Sequence, residues 1–187
     1  MRLPASVEGS ERLRLFCALR LPDETAERLA AWQHGAFAGV PEVRPLPREG
    51  LHITLAFLGH RPVGELDAIL GALREAAAGA EPPLLSLRGY RETRSVGMLT
   101  FDDAEGRATA LAADLHERLA ALGVYEPERR KWLPHVTVLR FRKRPGLRPV
   151  LPDLEPFVPS DAAAFLSRLR PSGAQYEVLE SMAVGGR

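Results

Sequence analysis

A short pattern occurs twice in this 187-residue chain and limits how it can fold. His52-Ile53-Thr54-Leu55 and His135-Val136-Thr137-Val138 stand 83 residues apart, and each opens an apolar run of strand length. Five histidines and six threonines in 187 positions would give roughly 0.16 His-x-Thr pairs by chance, so two with matching flanks point to a duplicated unit. On a strand, residues i and i+2 share a face. His52 and Thr54 therefore project together while Ile53 and Leu55 enter the core, and His135 and Thr137 do the same opposite Val136 and Val138.

The chain leading to each motif repeats as well. In the first half a strand over Arg14 to Leu19 is followed by a helix that Pro22-Asp23 starts and that runs to about Phe37, its inner face marked by Ala26, Leu29, Ala30, Gln33 and Phe37. A loop with Pro41, Pro45 and Pro47 leads to a strand over Leu51 to Leu58, closed by Gly59. Residues 62–78 then read as a helix. In the second half, strands Leu84 to Arg91 and Val96 to Phe101 form a hairpin, a helix spans 105–122 with Gly123 as its stop, and Lys131 to Phe141 is the strand bearing the second motif. A proline-interrupted loop covers Pro145 to Pro159, local pattern leaves Ala162 to Leu169 ambiguous, and a last strand lies near Tyr176 to Val184. Two copies are too few for a solenoid. Two facing halves would instead put equivalent strands on the walls of a shared cleft.

Composition narrows the classes of partner. With 45% hydrophobic and 26% charged residues the chain is expected to fold as a globular unit over 11–187, behind a mobile tail at 1–10. A net charge of +1 gives no global field for capturing a polyanion, so any such feature must be local. The basic residues are nearly all arginine, Lys131 and Lys143 being the lysines, and Arg129, Arg130, Lys131, Arg140, Arg142, Lys143, Arg144 and Arg148 gather around the second motif. The single cysteine, Cys17, lies in an apolar run and reads as a buried strand residue in a reducing, cytoplasmic protein. There is no apolar run of about 18 residues, so no membrane partner is expected.

Two histidines on opposite walls supply what phosphodiester cleavage needs. Near pH 7 one imidazole can take a proton from an attacking water while the other donates one to the departing alkoxide. The threonine hydroxyls can donate hydrogen bonds to the non-bridging phosphate oxygens. A zinc site is the rival use of histidine, but no His-Glu-x-x-His, cysteine pair or further ligand at the right spacing accompanies either motif, and no metal or other cofactor is expected. His34, His60 and His116 read as solvated side chains.

The paired motifs, together with Arg14-Leu15-Phe16-Cys17-Ala18-Leu19, the stretch Leu51 to Gly59, Pro134 to Arg140 and Gly173-Ala174-Gln175-Tyr176-Glu177-Val178-Leu179, resemble the RNA 2',3'-cyclic phosphodiesterases, the LigT-like 2'-5' RNA ligase family of the 2H phosphoesterases. The resemblance implies an α+β fold of two pseudo-two-fold lobes, each an antiparallel sheet with outer helices, around a central active-site groove. It further implies opening of terminal 2',3'-cyclic phosphates on RNA or nucleotides to 2'-phosphates, with reversible 2'-5' joining as the related reaction. By position, His52 would be the proton donor and His135 the proton acceptor, with Thr54 and Thr137 beside them and Phe57, Arg140 and Arg130 binding substrate. Ideal alternation puts Phe57 and Arg140, each five residues after its histidine, on the wrong face: for Phe57 a core aromatic is the alternative reading, and for Arg140 a twist, bulge or strand end is expected near Leu139. Gly50, where the family commonly has Asn, and the alanine-rich Ala162 to Leu169 depart from the family pattern. The alternatives are a relative acting on a small cyclic phosphate or cyclic nucleotide, and a non-catalytic RNA-end-binding module. A monomer suffices for all three, since one chain carries both motifs.

Overall fold

The computed structural model describes residues 12–171 and 173–186, so the tail expected at 1–10 lies outside the described residues. The elements are β1 (Arg12–Arg20), α1 (Asp23–Ala36), β2 (Val43–Pro45), β3 (His52–Pro62), α2 (Leu66–Gly79), β4 (Ser86–Glu92), β5 (Val96–Asp102), α3 (Arg107–Ala121), β6 (His135–Phe141), β7 (Asp161–Arg170) and β8 (Gly173–Met182). Among the described residues the strands pair antiparallel, in the order β4-β5-β6-β3-β1-β7-β8, with β2 alongside β6. The two motif strands therefore lie at the centre. They meet at the pair Ile53 with Val136, and this is where the half-sheets of the two lobes join.

One core runs under the sheet on the helical side. Leu13, Leu15, Cys17 and Leu19 alternate down β1 toward it and meet Leu29 of α1, Ile69, Leu70 and Leu73 of α2, and Leu111, Leu115 and Leu119 of α3. Cys17 is fully buried, and desolvation pushes its thiol up to about 12, which leaves it a packing residue. The opposite face of β1 is buried too, because Phe16 and Ala18 pack with Ala163, Phe165 and Tyr176 in a small second cluster. That cluster explains the continuous apolar run that period-two reading alone does not.

Three sequence expectations change in detail. The ambiguous segment over Ala162 to Leu169 is β7, held between β1 and β8, and pairing on both sides outweighs the helical preference of its alanines. Gly59 does not close β3. It takes φ +67° at a bulge, with Leu58 the extra residue against β1, and the strand continues to Pro62. The last strand starts earlier, at Gly173, and ends at Met182.

Candidate active site

The chemistry-bearing side chains gather on the sheet face away from the helices. Ile53 and Val136 are opposite one another and turned into the core, so antiparallel counting places His52 across from Thr137 and His135 across from Thr54. Each histidine thus faces the other motif's threonine. The problem of the residues five positions on is solved by a matched pair of bulges. Against β1, Ala18 pairs with Thr54 and Cys17 with Ala56, leaving Leu55 as the extra residue. Against β5, Met98 pairs with Thr137 and Gly97 with Leu139, leaving Val138 extra. Both bulges fall three residues after the motif histidine and reset the alternation, so Leu55-Ala56 and Val138-Leu139 are buried in succession while Phe57 and Arg140 emerge on the groove side.

A cavity of about 270 Å³ is lined by Arg14, Phe16, Leu46, Gly50, His52, Thr54, Phe57, Thr137, Arg140 and Tyr176. His135 is half-buried on the same face of β6 as Thr137, close enough that its protonated form would oppose a charge on His52. Arg130 lies apart: it is exposed and paired with Glu128 at 2.6 Å, and it does not line the cavity. A larger cavity of about 580 Å³ between α2 and α3 has no histidine or threonine in its lining among the described residues.

The two histidines sit in unlike surroundings. His52 stacks on Phe16 with ring centroids 4.8 Å apart, has Tyr176 edge-on at 5.4 Å, and leaves its buried Nδ1 without a hydrogen-bond partner among the described residues. Desolvation first, then repulsion from His135 and Arg140, lowers its pKa from 6.5 to about 4, with the Gly50 backbone pulling weakly the other way. In the empty groove at neutral pH it is uncharged. An anionic phosphate placed among His52, His135 and Arg140 would offset that repulsion and favour its protonated form. The Nδ1 of His135 donates to the Leu133 carbonyl at 2.8 Å, and since a carbonyl only accepts, the neutral ring keeps its lone pair on Nε2. That is the tautomer a general base needs.

Sequence reasoning missed Arg14, Phe16 and Tyr176 as groove residues. Arg14 lays its guanidinium over the Phe57 ring at 4.6 Å and donates to Ser167 Oγ at 2.5 Å. Phe57 remains half exposed, an aromatic face open to a stacking partner. Period two does put Arg14 and Phe16 on one face of β1. Nothing local says that this face turns to the groove, because that depends on the register with β3.

His116 departs from the solvated reading. It is half-buried, stacks on Tyr125 at 4.7 Å, and its Nε2 lies 2.7 Å from the Leu55 carbonyl. His34 and His60 differ from it: the first is exposed and the second lies at the outer end of β3, away from the groove.

Comparison with known proteins identifies the family and the fold. The sequence profile of the 2'-5' RNA ligase superfamily matches residues 21–175. A Thermus thermophilus protein named RNA 2',3'-cyclic phosphodiesterase is 36% identical over 188 residues, covering 93% of this chain and 91% of its own. Among solved structures, TT0787 of Thermus thermophilus superposes with a TM-score of 0.81 at 31% identity, covering 93% of this chain and 99% of that one. Escherichia coli LigT without ligand gives 0.77 at 25% identity, covering 94% and 99%.

Proposed function

This chain belongs to the 2'-5' RNA ligase superfamily, and we propose on that footing that it is an enzyme that hydrolyses terminal 2',3'-cyclic phosphates on RNA or nucleotides to 2'-phosphates. The observation that carries the reading is the meeting of the two His-x-Thr strands at the Ile53–Val136 pair, which sets two imidazoles and two hydroxyls around one groove. His135 Nε2 takes a proton from water, whose oxygen attacks phosphorus. The bond from phosphorus to the 3'-oxygen breaks, and protonated His52 gives its proton to that oxygen, leaving a 2'-phosphate and a free 3'-hydroxyl. Thr54 and Thr137 donate to the non-bridging oxygens, and the Arg140 guanidinium offsets the phosphate charge. Exchange of protons with solvent returns His135 to its neutral state, and His52 takes up a proton again when the next anionic phosphate enters the groove. The reversible joining of two RNA ends through a 2'-5' linkage uses the same two groups: a ribose hydroxyl takes the place of water, its proton goes to His135, and the bond from phosphorus to the 3'-oxygen again breaks.

Substrate binding follows from the rest of the groove. Phe57, backed by Arg14, stacks on the terminal base. Replacing Phe57 with alanine is expected to raise KM for a cyclic nucleotide about tenfold, the usual cost of one stacked base, with kcat little changed. Steady-state kinetics with purine and pyrimidine substrates check it. Beyond Arg140 the exposed Arg142, Lys143 and Arg144 face the upstream RNA phosphates, and their loop is anchored by the buried Glu92 carboxylate, which accepts from Gly146 N at 2.9 Å, Leu147 N at 2.8 Å and Arg144 Nε at 3.2 Å. A reducing cytoplasm suits the lone buried Cys17, and one chain supplies the whole site.

The test is incubation of RNA ending in a 2',3'-cyclic phosphate with the protein, with and without EDTA, followed by identification of the product isomer. A 2'-phosphate formed at the same rate in both supports the reading. A 3'-phosphate, or activity lost with EDTA and restored by zinc, sinks it.

A further inference from the structure

At each motif bulge a backbone carbonyl accepts a hydrogen bond from a side chain outside the sheet, beside the point where β3 and β6 share the single pair Ile53 with Val136. The donors come from the helices, and they come crosswise. In α1 of the first half, Gln33, 2% exposed, donates Nε2–H to the carbonyl of Val138 at 2.5 Å, the extra residue of the second motif. In α3 of the second half, His116 donates Nε2–H to the carbonyl of Leu55 at 2.7 Å, the extra residue of the first motif. Gln33 and His116 stand 83 residues apart, the spacing of the catalytic pair His52 and His135. The two contacts are therefore one device repeated by the duplication, with an amide in one copy and an imidazole in the other.

We infer that Gln33 and His116 are positioning residues: each locks the bulge that turns a substrate-binding side chain into the groove, His116 setting Phe57 and Gln33 setting Arg140. A helix from either half of the sequence thus orients the binding residue of the other half. The clamp acts at short range, because a peptide carbonyl held two residues upstream fixes the direction of the next groove-facing side chain. The Val138 carbonyl has a second donor in Leu46 N at 3.0 Å, and beside the Leu55 bulge Trp132 Nε1 donates to the preceding carbonyl, that of Thr54, at 3.0 Å. Loss of one clamp should loosen the bulge without unfolding the strand.

The inference rests on the phosphodiesterase reading, and two variants separate the hydrogen bond from packing. His116→Phe keeps a ring against Tyr125 and removes the donor, while His116→Gln keeps a donor of the kind Gln33 already provides. With adenosine 2',3'-cyclic phosphate, His116→Phe is expected to raise KM about 3- to 10-fold with kcat within about twofold, and His116→Gln to stay near wild type. Combined with Phe57→Ala, His116→Phe should add little, because both act on the same contact. Amide hydrogen exchange over residues 54–58 is expected to quicken in the Phe variant and not in the Gln variant, a readout that needs no turnover. Equal KM values for the two variants, full additivity with Phe57→Ala, or unchanged exchange in the Phe variant would overturn the assignment. A wild-type protein that leaves the cyclic nucleotide intact defeats the functional reading instead, and the exchange comparison still decides the clamp.

Discussion

His135→Ala is expected to lower kcat on a 2',3'-cyclic phosphate by about 10²–10⁴-fold, the range usual for loss of a positioned general base. The ring is half-buried at a strand start and is tied to the fold through the Leu133 carbonyl, a neighbour two residues away, so its removal disturbs the chemistry far more than the fold. His52→Ala is expected to be comparably impaired, since the 3'-oxygen then leaves without a proton. The two groups act in one step, so the double variant should fall little below either single variant. Single-turnover rates on a cyclic nucleotide, with thermal melts to verify folding, measure this. A single variant that keeps more than about a tenth of wild-type kcat removes its histidine from the reaction.

The second large effect is on stability. Unfolded, His52 titrates near 6.5; folded, with its ring against Phe16 and near His135 and Arg140, it resists protonation until about pH 4. Between those values the unfolded chain holds a proton that the folded protein refuses. The folded state is therefore not penalised above pH 6.5, loses stability as pH falls through that window, and has lost the full increment below pH 4, amounting to at most about 3 kcal/mol. In His52→Gln, which cannot titrate, this part of the acid sensitivity should vanish. Carboxylate titration is common to both proteins, so the difference between their unfolding free energies at about pH 7.5, 6 and 5 isolates the histidine. A difference that does not change with pH would falsify the depressed pKa. Inorganic phosphate should oppose the acid loss in the wild type, because an anion in the groove favours the charged imidazole.

Much of this protein is legible in its amino-acid order. The apolar stripes of α2 and α3 are periodic enough to be read directly, and the His-x-Thr pairs stand out because duplication at a fixed spacing is improbable by chance. The segment over Ala162 to Leu169 is not legible, since three buried alanines carry little strand preference and gain it from β1 and β8. Gly59 misleads in the opposite sense, because a positive φ serves a bulge as well as a strand end. Arg130, in the basic run before the second motif, is held outward by Glu128.

Residue order alone carries the duplication, the alternation that sends His52 with Thr54 and His135 with Thr137 to one side, and the kind of chemistry two imidazoles can perform. These follow from local spacing and side-chain identity, which no long-range contact alters. Long-range packing makes Leu55 and Val138 the extra residues, turns Phe57 and Arg140 to the groove as a consequence, and leaves His52 uncharged at neutral pH while His135 presents Nε2. A bulge is a mismatch between two strands, and a shifted pKa is a property of everything packed around a ring. Both depend on partners far away in the chain, where α1 and α3 hold each other's motif in place.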